Sequence, residues 1–243
     1  MNIILFDGEP FFNAQDSRFL HIKKILKKTV GDTFKAGIFN GPSGSAEILS
    51  MDSEGLRFEF REEFPLKPLY PVHLIIGFPR PIQLKRLLRD VSSLGVSSIT
   101  LCGTDLGEKS YRESTLVDRG AAMESIREGC VQAGSSAIPE LYMTDSVCEA
   151  LESFSDQFLK IVLDTANPDS TLARAPLVGI SFRNPLVLVI GSERGWSAQE
   201  RSLFRENQSM ICSLGSRILR TETAATAALA IALSCAGFME GIV

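Results

Sequence analysis

The sequence predicts an α/β protein with two parts, a small strand-rich domain followed by a larger domain built on a parallel sheet. The first 64 residues alternate short strands with one helix, and PLKPLYP (65–71) places three prolines in seven residues. After that segment the pattern changes to continuous apolar strands that alternate with helices, which is typical of a parallel sheet covered on both faces. We therefore predict domains at 1–68 and 69–243.

The N-terminal domain is predicted element by element from turn residues and periodicity. NIILFDG (2–8) predicts a strand, and the apolar spacing from Asp16 to Lys28 predicts a helix that Gly31 ends. GDTFKAGIFNG, GSAEILSMD and GLRFEFREEF alternate as strands do, with Asn-Gly and Ser-Glu-Gly turns between them. Strands this short and closely spaced favour a small barrel or sandwich.

The C-terminal domain contains a longer series of alternating elements. In such a sheet, ligands bind beyond the carboxyl ends of the strands. The predicted strands are 72–78, 97–103, 137–143, 158–164, 186–191 and 209–215, and the predicted helices are 82–94, 114–133, 145–154, 197–206 and 222–239.

Composition narrows the function classes. The 243 residues are 44% hydrophobic with a net charge of −4, which argues against a protein that coats nucleic acid through bulk charge but leaves room for a local basic face. The five cysteines lie far apart without a CxxC pair, which predicts no disulfide framework, no metal site and a reducing, cytoplasmic location. No apolar run reaches the roughly 18 residues that span a membrane.

The loop in LVIGSERGWS (188–197) is the first candidate site. Gly191 ends a strand, Gly195 permits a close backbone approach, and Ser197 with Glu200 forms an S-x-x-E capping box. A well-capped strand–helix turn explains the same residues. GxGxxG and the P-loop pattern are absent, so a ligand with an adenine and a sulfonium but no phosphate fits this loop better than a nucleotide does.

The connector SLGSRILRTET (213–223) is the second candidate. Ile218 and Leu219 could hold a flat ring, while Arg220 could contact an RNA phosphate or a base carbonyl and Glu222 could orient it. The alternative is a surface ion-pair cluster of Arg217, Arg220 and Glu222 at a helix start.

Two further stretches allow either a functional or a structural interpretation. The small residues of TAATAALAIALSCAG (223–237) favour a tight intrachain or dimer contact, although alanine also simply favours helix. A basic cluster in the first domain predicts phosphate contacts, although a solvated helix face explains a charge run equally well. Its residues are Arg18, His21, Lys23, Lys24, Lys27 and Lys28.

Several segments together resemble one known family. LGSRILRTETA (214–224) resembles the C-terminal signature of the RsmE family, which belongs to the SPOUT superfamily of methyltransferases and acts on small-subunit ribosomal RNA. IGSERGWSAQE (190–200) is similar to the family's IGPEGGFS, and HIKKILKKTVGD (21–32) is similar to its HIxxVLRxxxGD. Residues 93–96, Gln132 and Pro139 also fall at family motif positions, so the resemblance spans nearly the whole chain.

The resemblance implies a fold, a donor and a reaction. The fold would be a PUA-like RNA-binding barrel followed by an α/β domain with a trefoil knot, and the enzyme would act as a homodimer on ribosomal RNA or the small ribosomal subunit. S-adenosylmethionine would donate a methyl group to N3 of a uridine. Carried over by position, the catalytic residues would be Arg220 and Glu222, and the donor-binding residues would be Leu163, Ile190, Gly191, Glu193, Gly195, Leu214, Gly215, Ile218, Leu219 and Thr223. The basic cluster of the first domain supplies the predicted RNA-binding residues Arg18, His21, Lys24, Lys27 and Lys28.

Departures from the family pattern leave alternatives open. Ser192 and Arg194 replace a proline and a glycine, and Ser192-Glu193 resembles the GSE of ribose 2′-O-methyltransferases. Methylation of a ribose 2′-oxygen or another RNA site, or RNA binding without catalysis, are therefore the alternative functions. Asp90, Ser93, Val131 and Ser135 also differ from the residues usual in the family.

Overall fold

A computed structural model describes residues 2–112 and 119–240 and divides into two compact units. The first unit contains Met1–Pro68 and also Cys130–Ile138, and the second contains Leu69–Gly129 and Pro139–Val243. Within the first unit, the later segment is held by polar contacts: Ile138 N donates to Asn40 Oδ1 at 2.8 Å, and Ser136 Oγ donates to Gly41 O at 2.7 Å.

The first unit is a five-stranded mixed sheet that forms a half-barrel, as the short strands predict. Its strand order is β1-β3-β4-β5-β2, with β1 and β3 parallel and the other pairs antiparallel. Phenylalanines dominate its core, where the rings of Phe6, Phe12 and Phe34 surround Phe58 at centroid distances of 5.0–5.5 Å. The strands are β1 (Ile4–Phe6), β2 (Phe11–Asn13), β3 (Thr33–Ile38), β4 (Ser43–Met51) and β5 (Gly55–Phe64).

The helix predicted from Asp16 to Lys28 is wrong in part. Only α1 (Ser17–Leu20) is α-helical, and a π-helical turn, His21–Ile25, follows it. Leu26 N donates to His21 O, five residues back, which widens the turn. Lys27 then adopts a φ of 53°, so its backbone leaves the helix before the predicted end.

The second unit confirms the predicted parallel sheet. All seven strands are parallel, in the order β10-β12-β9-β11-β6-β7-β8. The pattern did not predict the two-residue β10, and it placed the start of β8 at 137 although this strand begins at Glu140. The strands are β6 (Tyr70–Gly77), β7 (Val96–Cys102), β8 (Glu140–Thr144), β9 (Leu159–Leu163), β10 (Ser170–Thr171), β11 (Leu186–Ile190) and β12 (Met210–Ser213).

Helices cover both faces of this sheet. Val187 and Val189 of β11 pack with the buried residues of two short helices on one face. Alternate residues of the strand point to the other face, where the last helix contacts β11 and β6 and packs against the first helix of the unit. The helices are α2 (Pro81–Ser93), α3 (Lys109–Arg112), α4 (Arg119–Ala133), α5 (Val147–Glu152), α6 (Ala198–Glu206) and α7 (Thr221–Cys235).

Two predicted helices match the described residues only in part. Residues 114–118 of the predicted helix 114–133 lie outside the described residues. The last helix, predicted to end at 239, ends at Cys235, and Gly237 just beyond it has a φ of 82°. Within the described ranges, no helix is both long and apolar enough to cross a membrane, and no group of His, Cys, Asp and Glu side chains could hold a metal ion. The trefoil knot stays a prediction.

Candidate active site

A pocket of about 270 Å³ lies where three adjacent strands of the parallel sheet end. Leu163 ends β9, Ile190 ends β11, and Leu214 follows β12. Carboxyl ends of parallel strands meet at one edge, so residues far apart in sequence come together there. The pocket is lined by Leu163, Asp164, Thr165, Ile190, Gly191, Ser192, Glu193, Arg194, Gly195, Trp196, Arg201, Leu214, Arg217, Ile218, Leu219, Thr221 and Ala224.

Eight residues predicted from the sequence for donor binding line this pocket, but Gly215 and Thr223 do not. Arg220 and Glu222 are also absent from the lining; Arg220 is the N-cap of α7, directly before the lining residue Thr221. Periodicity gave no reason to single out Asp164, Trp196 or Arg201. The one signal available for Trp196 was that it is the only tryptophan in the chain and follows Gly195.

The segment Gly191–Gly195, called the β11 loop below, is a tight turn. Gly195 N donates to Ser192 O at 2.9 Å, and Gly195 has a φ of 70°, a conformation that glycine adopts without steric cost. The predicted capping box is confirmed, because Ser197 Oγ accepts from Glu200 N and the Glu200 carboxylate accepts from Ser197 N. The capped start of α6 therefore fixes the chain just beyond the loop.

Trp196 joins the ends of β9 and β11 beneath the pocket. Its side chain is buried, and Nε1 donates to Leu163 O at 2.9 Å. The indole also meets Phe204 edge-on at a centroid distance of 4.8 Å. A Cβ at Gly191 would lie 3.1 Å from Trp196 Cε2, so a larger residue at 191 would crowd the indole. The tryptophan thus supports the floor of the pocket from the hydrophobic core.

Asp164 and Arg201 form the charged wall of the pocket. Arg201 Nε donates to Asp164 Oδ2 at 2.6 Å, and Ala166 N donates to Asp164 Oδ1 at 3.1 Å. The Asp164 side chain is only 6% exposed, so it would be an uncompensated buried charge without this partner. Its hydrogen bond raises the pKa of Arg201, which keeps the guanidinium charged at the pocket wall.

The segment Leu214–Arg220, called the β12 loop below, contrasts with these contacts. Gly215 has a φ of 106°, and every residue from Gly215 to Arg220 is exposed, with Ile218 89% exposed. Arg217, Arg220 and Glu222 form no ion pair with one another, so within the described residues the surface ion-pair alternative is not realised. Thr221 Oγ1 donates to Gly191 O at 3.2 Å and so joins the start of α7 to the β11 loop.

A second cavity of about 790 Å³ lies beside the first at the ends of β6, β7 and β8. Its walls come from Gly103–Glu108, α3, and the starts of α5 and α6. Carboxylates outnumber basic groups on these walls. Asp105, Glu108, Asp145 and Glu200 face Lys109 and Arg112, and Arg112 is already paired with Asp145. This charge balance does not favour an anionic ligand there.

The predicted RNA-binding residues of the first unit differ in their surroundings. Arg18 donates to both carboxylate oxygens of Asp16 and to Leu5 O, and its guanidinium lies 4.3 Å from the Phe12 ring centroid. Burial lowers the pKa of His21, whose Nε2 is buried and has no hydrogen-bond partner in the described part of the chain. Lys24 and Lys27 are exposed and Lys28 is half-buried. Arg18 thus has a structural role, while the lysines face solvent.

Of the residues that depart from the family pattern, Ser192 and Arg194 line the first pocket. Arg194 Nη2 lies 3.4 Å from Glu108 Oε2. Ser93 Oγ donates to Asp90 O at the end of α2, and Ser135 Oγ donates to Ala137 O. Val131 O accepts from Asn2 N. These local contacts stabilise turns and segment ends rather than the pocket.

Comparison with known proteins identifies the family. Residues 65–233 match the RNA methyltransferase domain family, and this range contains every residue that lines the first pocket. The chain is 43% identical to ribosomal RNA small subunit methyltransferase E of Treponema pallidum over 250 residues, covering 96% of this chain and 91% of the relative. The chain belongs to the RsmE family. The resemblance inferred from the motifs is therefore confirmed.

Two further comparisons agree with this RsmE assignment. Ribosomal RNA small subunit methyltransferase E 1 of Borreliella burgdorferi is 29% identical, with 96% of this chain and 98% of the relative covered. The crystal structure of the Neisseria gonorrhoeae enzyme, bound to S-adenosyl methionine, superposes with a TM-score of 0.77 at 19% identity, with 97% and 98% of the two chains covered. At that identity the match establishes the shared fold.

Proposed function

We propose that this protein transfers a methyl group from S-adenosylmethionine to N3 of a uridine in small-subunit (16S) ribosomal RNA. The observation that carries the proposal is the pocket at the ends of β9, β11 and β12. It assembles the two loops that carry the family motifs, IGSERG and LGSRILR, around one cavity. Arg220 stands at its border as the N-cap of α7, and its guanidinium has no hydrogen-bond or ion-pair partner among the described residues.

The residues present fit the methyl donor. Leu163, Ile190 and Leu214 offer apolar surface for an adenine ring. The sequence lacks the GxGxxG and P-loop patterns that bind phosphate groups, which agrees with a donor that contains no phosphate. Arg201 and Arg217 offer guanidinium groups to a carboxylate, and Glu193 and Asp164 supply negative charge near a positively charged sulfonium. When bound, the donor supplies an electrophilic methyl group; the residues named here would hold and orient it.

The protein's contribution to catalysis would be orientation and charge stabilisation. Holding the acceptor nitrogen in line with the methyl carbon converts a two-body reaction into an intramolecular one. We assign to Arg220 the stabilisation of negative charge on the uracil carbonyl oxygens as the N3 proton leaves. Glu222 lies two residues further, in the first turn of α7, and its role would be to orient Arg220. Among the described residues the Glu222 carboxylate forms no ion pair, so it remains available for this role.

RNA binding and assembly complete the proposal. Lys24, Lys27 and Lys28 would contact RNA phosphates, with residues 1–68 as the RNA-binding domain and 69–243 as the methyltransferase domain. Arg18, by its bonds to Asp16, and His21 would support this surface from behind. Ala227, Ala230 and Ile231 form a half-buried face of α7, which favours a homodimer contact because small side chains let helices approach closely. Action on ribosomal RNA would place the enzyme in the cytoplasm.

The contacts of Ser192 and Glu193 explain these two residues without a ribose 2′-oxygen as the acceptor. These residues resemble the GSE motif of the 2′-O-methyltransferases, but here Ser192 Oγ accepts from Thr104 Oγ1 and Glu193 Oε2 accepts from Arg80 Nε. Both side chains are thus engaged in holding the β11 loop. Their presence is explained by the loop's support and does not require a different acceptor.

The test combines donor binding with product analysis. Calorimetric titration of the purified protein should show micromolar binding of S-adenosylmethionine. Incubation with the labelled donor and small ribosomal subunits should then yield 3-methyluridine on nucleoside chromatography and mass spectrometry. If the product is a 2′-O-methylated nucleoside instead, the acceptor is a ribose 2′-oxygen and not uridine N3. If the donor binds and neither small subunits nor free 16S RNA are methylated, the proposal of catalysis is wrong and RNA binding without catalysis takes its place.

A further inference from the structure

The β11 loop is held from outside the pocket by the segment that follows β7. Thr104 Oγ1 donates to Ser192 Oγ at 2.9 Å, and Arg194 Nη2 lies 3.4 Å from Glu108 Oε2. Thr104 lines the second cavity and is not part of the first pocket's lining. It therefore contacts the β11 loop from the side opposite the proposed donor.

Asp105 anchors the same segment to the start of α6. Its backbone N donates to Glu200 Oε1 at 3.0 Å, and its carboxylate accepts from Ser197 Oγ at 2.5 Å. Ser197 and Glu200 are the two members of the capping box that begins α6. The segment Gly103–Glu108 thus contacts the β11 loop at Ser192, near its start, and the chain just beyond the loop at Ser197.

The end of β6 approaches the loop from a third direction. A Cβ at Gly77 would lie 2.6 Å from Ser192 N and 2.8 Å from Thr104 Cγ2, closer than side chains pack. Arg80, just beyond β6, donates from Nε to Glu193 Oε2 at 2.8 Å. Only glycine at position 77 lets Ser192 and Thr104 come together.

The exposure of the contacting side chains indicates which contact stabilises the β11 loop most. The arginines of the ion pairs Arg80–Glu193 and Arg194–Glu108 are exposed, with Arg80 61% and Arg194 68% accessible, so salt screens both pairs and each contributes little. Ser192 is only 8% exposed, so its hydroxyl has little access to water if Thr104 is removed. A buried polar group that loses its partner carries a desolvation penalty, which makes the hydroxyl pair the stronger contact.

We infer that Thr104 is a positioning residue for the methyl donor, acting through Ser192 to hold the β11 loop in its binding conformation. The inference rests on the proposed function, because it requires that the first pocket binds S-adenosylmethionine. A loop held in the bound geometry before binding loses less conformational entropy when the ligand arrives. Removing the hydroxyl of Thr104 should therefore weaken donor binding while leaving the chemical step intact once donor is saturating.

The experiment compares two substitutions at one position. Thr104→Val keeps the shape and removes the hydroxyl, and Thr104→Ser keeps the hydroxyl. We expect Thr104→Val to raise the Kd for S-adenosylmethionine about five- to tenfold, the equivalent of one lost hydrogen bond. Thr104→Ser should stay within about twofold of the parent, since the bond is retained. Thr33→Val, on an exposed position of β3, is the matched control and should not change the Kd.

Kinetics separate positioning from general damage to the fold. For Thr104→Val, the KM for donor should rise while kcat at saturating donor stays near that of the parent. A loss of kcat with an unchanged KM, or a Thr104→Ser variant as impaired as Thr104→Val, would overturn the inference.

A double-mutant cycle tests the specific contact. Ser192→Ala should raise the Kd by a similar factor, and the double variant with Thr104→Val should be no weaker than either single one, because both remove the same bond. Multiplicative effects would show that the two residues act independently and would overturn the inference. If the parent protein fails to bind the donor, the proposed function fails first; if it binds and Thr104→Val binds equally well, only the inference fails.

Discussion

The two loops that line the first pocket are held in opposite ways. In the β11 loop, Ser192, Glu193 and Arg194 each bond to a residue of another strand end. In the β12 loop, Arg217 has no hydrogen bond or ion pair within the described residues, and Ile218 projects into solvent with 89% of its surface exposed. Yet both loops border the same cavity.

Under the proposed function, this difference divides donor binding and catalysis between the two loops. The β11 loop is organised before any ligand arrives, so it can set donor affinity at low entropic cost. The β12 loop places Arg217 and Arg220 before the N-terminus of α7, where the helix dipole adds to their positive charge. Unpaired positive groups at a helix N-terminus attract an anionic partner, and under the proposed function that partner is RNA.

The strongest test of the comparison is to remove one arginine from each loop. Arg220→Ala should lower single-turnover methyl transfer by about 10²–10³-fold, as expected for a group that stabilises charge in the transition state. The Kd for the donor should change little, because Arg220 does not line the pocket. Arg194→Ala is the matched control: it removes an exposed ion pair, roughly 0–1 kcal/mol, so its effect should stay below about fivefold.

The outcome decides whether the two loops have different roles in binding and catalysis. Equal rate losses in the two variants would remove the distinction between an organising and a reacting loop. If Arg220→Ala instead abolished donor binding, Arg220 would belong to the donor site, and the catalytic role assigned to it would be wrong.

Glycine substitutions provide a smaller test of the same difference. Gly195 and Gly215 have φ values of 70° and 106°, and a Cβ at either would meet no atom within 4 Å, so backbone strain is the only effect of alanine. In the β11 loop the surrounding contacts hold the strained geometry with and without ligand, so Gly195→Ala should lower stability by about 1–2 kcal/mol and leave the donor Kd nearly unchanged.

The β12 loop should respond differently, because within the described part of the chain no side chain from Gly215 to Arg220 forms a hydrogen bond or an ion pair. Gly215→Ala would relax to negative φ in the free protein, and the donor would have to restore the positive φ on binding. We expect the Kd for S-adenosylmethionine to rise about tenfold, the equivalent of 1.4 kcal/mol, with little change in unfolding free energy. Urea unfolding and calorimetry on both variants would measure this. An unchanged Kd for Gly215→Ala would mean that the β12 loop is organised without contacts.

The two loops also illustrate which features of the site could be predicted from the sequence and which could not. Leu163, Gly191 and Leu214 were predicted as donor-binding residues from the resemblance to the RsmE family, and they lie at or just beyond the ends of apolar strands, which a parallel sheet brings together. The bond between Thr104 and Ser192 joins residues 88 positions apart, and that between Arg201 and Asp164 joins residues 37 apart. Local patterns contain no information on such pairs, because the order of strands in the sheet decides which ends are neighbours.

Charge patterns in the sequence do not distinguish a paired side chain from an unpaired one. Arg18 and Arg220 look equally suited to RNA in the sequence, but Arg18 is bonded to Asp16 and stacked on Phe12. The helix from Asp16 to Lys28 failed for a related reason. Its apolar spacing is correct for a helix, but the main chain closes a wider turn at His21–Ile25 so that Ile22 is fully buried in the core. Tertiary packing overrode the periodic pattern there.

The smallest predicted effect tests the sheet apart from its loops. His73 on β6 is half-buried, with Nδ1 2.7 Å from Ser98 Oγ and its ring 5.4 Å from the rings of Phe154 and Phe158. Burial lowers its pKa below 6.5, and the charge of Glu140 opposes this only in part. The unfolded chain then binds a proton that the folded chain does not, so the stability contributed by neutral His73 is complete above pH 6.5 and is lost as the pH falls through the folded pKa.

We therefore expect the parent to lose more unfolding free energy between about pH 7.5 and pH 5.5 than His73→Gln does, because glutamine does not titrate. Burial lowers the pKa of His21 as well, but it is present in both proteins, so the difference between them isolates His73. The chain has only two histidines and neither lies in the β11 or β12 loop, so the donor Kd should stay constant over this range as long as the protein is folded. A donor Kd that rose in parallel with the loss of stability would show that the two loops depend on the far end of β6, and their separate behaviour would then have to be abandoned.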